Sequence, residues 1–151
     1  MNSFLGLQSR VRDLLRAHPF FSDFPADGIL IEDITDLDSI VAQQVNSATG
    51  FVVVVTTARG DQPLDMRGKL RLTETLTVSL MRSTIATGGS LLDGLQAAMQ
   101  AIHSQPVDAA ATGVMSRMNE LVVIGHEYVT PPEGATFAVH QLHVSAPLFP
   151  L

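Results

Sequence analysis

The residues best suited to chemistry lie toward the C-terminal end: His126 in "GHEY", and His140 and His143 in "HQLH". Imidazole binds metals and moves protons near neutral pH, but two rings hold one ion only if both reach the same point. On a strand, His140 and His143 are three residues apart and face opposite sides, so neither can help the other grip an ion. His126 and Glu127 are adjacent and diverge in the same way. His126 can still meet His140 or His143 across a hairpin, and the expectation is paired strand histidines with no metal. A second cluster, "EDITDLD", carries Glu32, Asp33, Asp36 and Asp38. It lacks the alternating oxygen ligands, central Gly and distal Glu of a calcium loop, so helix capping by Asp36 or Asp38 is the expectation. "TGGS", ending at Ser90, precedes a helical pattern and could bind an anion there. It has neither the Walker lysine nor the dinucleotide glycine spacing, and reads as a turn with a cap.

Nucleophilic catalysis finds no better footing. There is no G-x-S-x-G elbow and no cysteine, which removes thiol catalysis, thiolate metal sites and disulfides together. The threonine row Thr73, Thr75, Thr77 fits the β-propensity of a polar sheet face. No catalytic, cofactor-binding or metal residue is expected, and the chain reads as a non-enzyme.

The elements that must position these residues read as one domain over residues 1–151. The chain is 46% hydrophobic, long enough for one real core. Its net charge of −6, with nine Lys plus Arg, argues against nucleic acid as a specific partner. No apolar run nears the roughly twenty residues of a membrane span, and no secretory leader is visible, so a cytoplasmic place of assembly is expected.

Ser3 caps a first helix with Phe4, Leu7, Val11, Leu14 and Leu15 on one stripe. "HPFFSDFPADG" ends it through Pro19, and Phe20, Phe21 and Phe24 are expected in the core. "ILIED" is a short strand, "DLDSIVAQQVNSATG" a helix, and "FVVVVTT" a strand covered on both faces. A loop, "ARGDQPLDMRG", leads to "KLRLTETLTVSLM", about 43 Å long at roughly 3.3 Å per residue. Leu70, Leu72, Leu76, Val78 and Leu80 share one side of that strand, interrupted by Glu74. Arg71, Thr73, Thr75, Thr77 and Ser79 form its wet side. "SLLDGLQAAMQAIHS" is a helix capped by Ser90, with Leu91, Leu92, Leu95, Ala98, Met99 and Ile102 inward. Within it, Gly94 either weakens the helix or permits close packing. "LVVIGHEYVT" and "TFAVHQLHVSA" close the chain as a hairpin around "PPEG". The fold class expected is α+β: a mostly antiparallel sheet with long hairpins and two to three helices packed on one face.

This order of elements resembles the tail terminator and related neck or minor tail proteins of long-tailed phages and prophages. The resemblance rests on "SFLGLQSRVRDLLRAH", on "KLRLTETLTVSLMRS" flowing into "SLLDGLQAAMQAIHS", and on the hairpin "LVVIGHEYVTPPEGATFAVHQLHVSA". It is a pattern of elements over most of the chain, without a signature motif. It implies a structural virion-assembly protein without cofactors. Its partners would be its own copies in a ring, usually a hexamer, together with tail tube and head-connector proteins, and its final place would be the virion tail or neck. The helical "ITDLDSIVAQQVNSATG" departs from that pattern. A long strand with few charges also has little protection against edge pairing, which ring closure would supply. Candidate contacts are Arg71, Thr73, Thr75 and Thr77 on the wet side and Arg59, Asp61, Arg67 and Lys69 at the loop. The alternative reading is a small-ligand binding module with a pocket between sheet and helices, around His126, Tyr128 and His140.

Overall fold

The computed structural model describes residues 3–47, 49–61, 72–86, 89–108 and 120–148, with backbone alone at 58–61, 72, 73 and 148. The fold is α+β. In chain order the described elements are α1 (Phe4–Ala17), β1 (Ile29–Ile31), α2 (Leu37–Val45), β2 (Phe51–Asp61), β3 (Leu72–Ser83), α3 (Leu91–Ile102), β4 (Val122–Val129) and β5 (Phe137–Leu148). The strands form one mixed, mostly antiparallel sheet in the order β1-β2-β3-β5-β4. Only the β1–β2 pairing is parallel, and the crossover between them is α2, as a parallel pair requires.

The run Phe51–Val55 explains how the layers divide. All five residues are buried, and successive side chains on a strand point to opposite faces. Phe51, Val53 and Val55 enter the main core with Leu7, Val11 and Leu15 of α1 and Leu95, Ala98 and Ile102 of α3. Val52 and Val54 join a smaller core with Leu30 and Val45, flanked by Leu37, Ile40 and Val41 of α2. Two helices therefore share one face of the sheet and α2 lies on the other. β3 places Leu76, Val78 and Leu80 fully inside the main core, and Glu74 is buried on the same side.

Local chemistry sets the helix ends. Ser3 Oγ accepts from Gly6 N at 2.9 Å and Ser90 Oγ from Asp93 N at 3.0 Å, capping α1 and α3. Asp36 stands at the N-cap position of α2 but in the left-handed conformation, φ 59°, without a capping hydrogen bond. The acidic loop thus starts α2 by backbone geometry and not by the expected side-chain cap. After α1, Pro19 opens a 3-10 turn, and Phe20, Phe21 and Phe24 pack edge-on and tilted with Phe51. This aromatic cluster seats α3, whose Gly94 lies directly against Phe51. Phe4 and Leu92, expected on inward stripes, are instead exposed.

Two strands depart from the expected boundaries. The stretch read as a loop from Ala58 continues β2 to Asp61, because Thr73–Thr75 of β3 keep supplying partners beyond a bulge at Thr57/Arg59. A second bulge between Val123 and Gly125 bends β4, adding one residue against its partner strand. Among the described residues no helix is long and apolar enough to cross a membrane.

Candidate functional site

The β4–β5 pair carries the chain's potential chemistry, and the sheet separates it into two clusters. Cross-strand partners share a face. On the core-side face, Tyr128 pairs with His140 and His126 lies one rung diagonally away. His126 Nδ1 and His140 Nε2 are 3.0 Å apart, and the Tyr128 ring meets His140 edge-on. His140 is only 7% exposed. Burial, and secondarily the charge of His126, lower its pKa below the usual histidine value. The expected meeting of His126 with His140 across the hairpin is therefore present. Among the described residues, no group of three or more His, Asp or Glu side chains is placed to hold a metal ion.

On the opposite face, Thr77 stands directly across from His143. Thr77 Oγ1 lies 3.4 Å from His143 Nδ1, and His143 Nε2 lies 3.1 Å from Glu127 Oε1. Hydroxyl, imidazole and carboxylate in that order are the parts of an activated nucleophile. Yet the hydroxyl contact exceeds the roughly 2.6–3.2 Å reach of an engaged base, and Thr77 is 5% exposed in the body of the sheet. The three residues act as polar rungs joining β3, β5 and β4, alongside Gln141 Nε2 donating to Ser79 Oγ at 3.4 Å.

Sequence reasoning missed a third polar cluster. Gln8 interrupts the inward stripe of α1 and is 3% exposed. Its Nε2 donates to Glu32 Oε1 at 2.6 Å and Thr57 Oγ1 at 2.8 Å, and its Oε1 accepts from Glu32 N at 3.2 Å. Thr57 N donates to the same Glu32 oxygen at 2.8 Å. The network ties α1 to the ends of the parallel strands, beside an open cleft of about 350 Å³ lined by Phe4, Leu5 and Asp33 as well. A second groove, about 310 Å³, runs between α2 and the sheet over Val41, Val45, Met81 and Phe137. Neither of these two cavities is lined by His126, Tyr128 or His140, where the binding-module reading placed a pocket.

The expected contact residues divide in a similar way. Arg67, Lys69 and Arg71 lie outside the described residues, as do the side chains of Arg59, Asp61 and Thr73. Arg59 and Asp61 occupy paired backbone on β2, opposite Thr75 and Thr73. Thr75 is half-buried. Thr77 is corrected from a wet-face contact to a buried rung, because β3 is central and the neighbouring β5 brings His143 against it. The exposed-edge argument for the long strand falls for the same reason: β3 is paired along Leu72–Ser83 with β5 and along Thr73–Arg82 with β2.

Open edges belong to other strands. β1 covers only Val53–Val55 of β2, and Glu32 occupies the amide of Thr57. Among the described residues, Ala58–Asp61 have no strand on their outer side. β4 ends the sheet at the other side and exposes Val122, Ile124 and Tyr128. Comparison with protein-family models finds no matching family, and comparison with curated proteins finds no match.

Proposed function

We propose that this chain is a non-enzymatic structural component of a phage or prophage tail, a ring-forming tail terminator or head–tail joining protein. Its copies join edge to edge through the sheet, in a ring that the family resemblance sets at six.

The observation that carries this reading is the pair of unlike open edges. Along the order β1-β2-β3-β5-β4, β2 and β4 run in opposite directions. The β4 of one copy can therefore meet the free end of β2 of the next as an antiparallel neighbour without inverting either subunit. Two different surfaces in contact make a head-to-tail interface, which closes into a ring when the rotation permits. The exposed Val122, Ile124 and Tyr128 would lie at this seam, where an isolated monomer has an aggregation hazard. Arg59 and Asp61, on the free stretch of β2, become its opposite wall.

Native mass spectrometry across protein and salt concentration, followed by imaging of the large species, tests this reading. A closed ring with a central hole that Ile124→Lys disperses is the expected result. A monomer that stays monodisperse at tens of micromolar, or a ring indifferent to charge on β4, refutes edge-to-edge closure. The second reading, a ligand-binding module, draws on the apolar groove beneath α2, at the lower end of the roughly 300–1,000 Å³ typical of ligand sites.

A further inference from the structure

The two imidazoles that bridge β4 and β5 have a proton capacity that the assembly reading does not use. His126 is exposed and His140 is buried, and their facing nitrogens stand at hydrogen-bond distance, 3.0 Å. Each neutral ring carries one N–H, so one facing nitrogen donates and the other accepts. The exposed ring can take the first proton from solvent on its far nitrogen, Nε2. His126 Nδ1–H then donates to the lone pair of His140 Nε2, a charge-assisted bond stronger than a neutral one. The second proton has one destination on His140, the accepting nitrogen itself. Once it arrives, two N–H groups and two positive charges face each other, and the bond is gone.

We propose that His126 and His140 form an acid-operated clasp on β4, closed while the pair carries no more than one extra proton and opened by the second.

The setting concentrates the effect on β4. Beyond β5, this strand has no further strand beside it among the described residues, its other hold being Val123 N on His103 Nδ1 at its start, and its ladder is already interrupted at Val123/Gly125. The causes that act on His140 are burial first and the charge of His126 second, and both lower its value. The charged groups of neighbouring elements are occupied or set apart. Glu127 lies on the other face with His143. Arg82 of β3, two residues beyond the Leu80 that pairs with His140, gives its guanidinium to the carbonyls of Gly89, Ala86 and Ser83. On α3, Asp93 sits in the first capped turn, and His103 at the far end accepts from Val123 N.

The sign follows from proton linkage. With β4 detached, His140 regains its ordinary value of 6.5, above its value in the closed pair. Between those two values opening takes up a proton, so acid favours opening by up to about tenfold per pH unit, levelling off once the closed pair itself accepts the second proton.

The test uses the full chain, following the imidazole resonances by NMR and β4 amide protection relative to β3 across pH. In the wild type the β4-to-β3 protection ratio is expected to fall by up to about tenfold per pH unit as the pH drops below 6.5, levelling off where His140 of the closed pair protonates. His126→Gln supplies a side chain that can donate to neutral His140 or accept from its charged form. It is expected to keep β4 protected, to raise the His140 titration, and to flatten the pH dependence of the ratio. A second variant, His140→Gln, keeps an acceptor but removes the titrating ring, and is expected to flatten it equally. A ratio that stays constant with pH in the wild type, or a His140 titration unmoved by His126→Gln, overturns the clasp. These readouts concern one subunit's own strand, so they stand or fail separately from ring formation.

Discussion

Replacing Gly94 by Ala sets two opposing terms against each other. Ala is about 1 kcal/mol more favourable than Gly inside a helix, and position 94 is interior to α3. A Cβ there would come within 2.7 Å of Phe51 Cζ and 3.3 Å of Phe20 Cε1. A flexible side-chain end could step aside, but Phe51 is fixed: it is buried, with its ring 5.3 Å from Phe24 and 6.1 Å from Phe20, centroid to centroid. Forcing a methyl into a packed core typically costs about 1–3 kcal/mol. The packing term wins, and Gly94→Ala is expected to lower stability by about 1 kcal/mol net, a Tm fall of about 2–4 °C at this chain length. Urea unfolding at constant m-value measures it. The same substitution in a Phe51→Leu background is expected to cost less, since the atom it meets is gone, and the double-mutant cycle isolates that coupling. A Gly94→Ala protein stabilised by about 1 kcal/mol would refute the reasoning, since the helix term alone would then have decided the outcome.

Other perturbations follow from the polar clusters and caps. Gln8→Ala leaves Glu32 and Thr57 without their buried partner and is expected to cost about 1–3 kcal/mol in urea unfolding; Gln8→Glu, which sets a second carboxylate against Glu32, is expected to cost at least as much. Ser90→Ala removes the α3 cap, for a loss of about 1 kcal/mol, recovered in large part by Ser90→Asp. Because burial and His126 hold His140 below its ordinary 6.5, the unfolded chain binds more protons between the folded value and 6.5. Stability therefore rises with pH across that window, and His140→Gln is expected to flatten the slope. A steeper slope in the variant would reverse the assignment.

The sequence made the periodic parts of this fold legible. Ser3 and Ser90 caps, the doubly covered Phe51–Val55 run and the Leu76, Val78, Leu80 side of β3 all follow from rules within a few residues of chain. Divergence of His140 from His143 came from the same two-residue period. What remained hidden depends on partners distant in sequence. The continuation of β2 past Ala58 exists because β3 offers backbone there, although Gly60 and Asp61 speak locally for a turn. Thr77 looked like surface because a threonine row is polar, and only its register with His143 buries it. Gln8 left a readable trace, a polar residue on an apolar stripe, but its partners Glu32 and Thr57 are 24 and 49 positions away. Phe4 and Leu92 fit their stripes in number and not in depth: both stand in the first turns of their helices and are exposed.

The bulge at Val123/Gly125 works as a parity counter for β4. Upstream of it Val123 faces the same side as Val144; downstream, His126 and Tyr128 regain that side only because Ile124 is the extra residue. If the bulge were flattened and Ile124 itself paired with His143 in an unbroken ladder, the count downstream would shift by one. Glu127 would then stand across from His140, and His126 and Tyr128 would turn toward the face of His143. Deleting Ile124 outright, by contrast, would remove the bulge and leave the downstream pairing as it stands, so the bulge residue serves to set which face each side chain takes. Flattening the bulge at full length would exchange the two polar clusters wholesale, converting an imidazole pair into an imidazole–carboxylate pair without changing a single side chain.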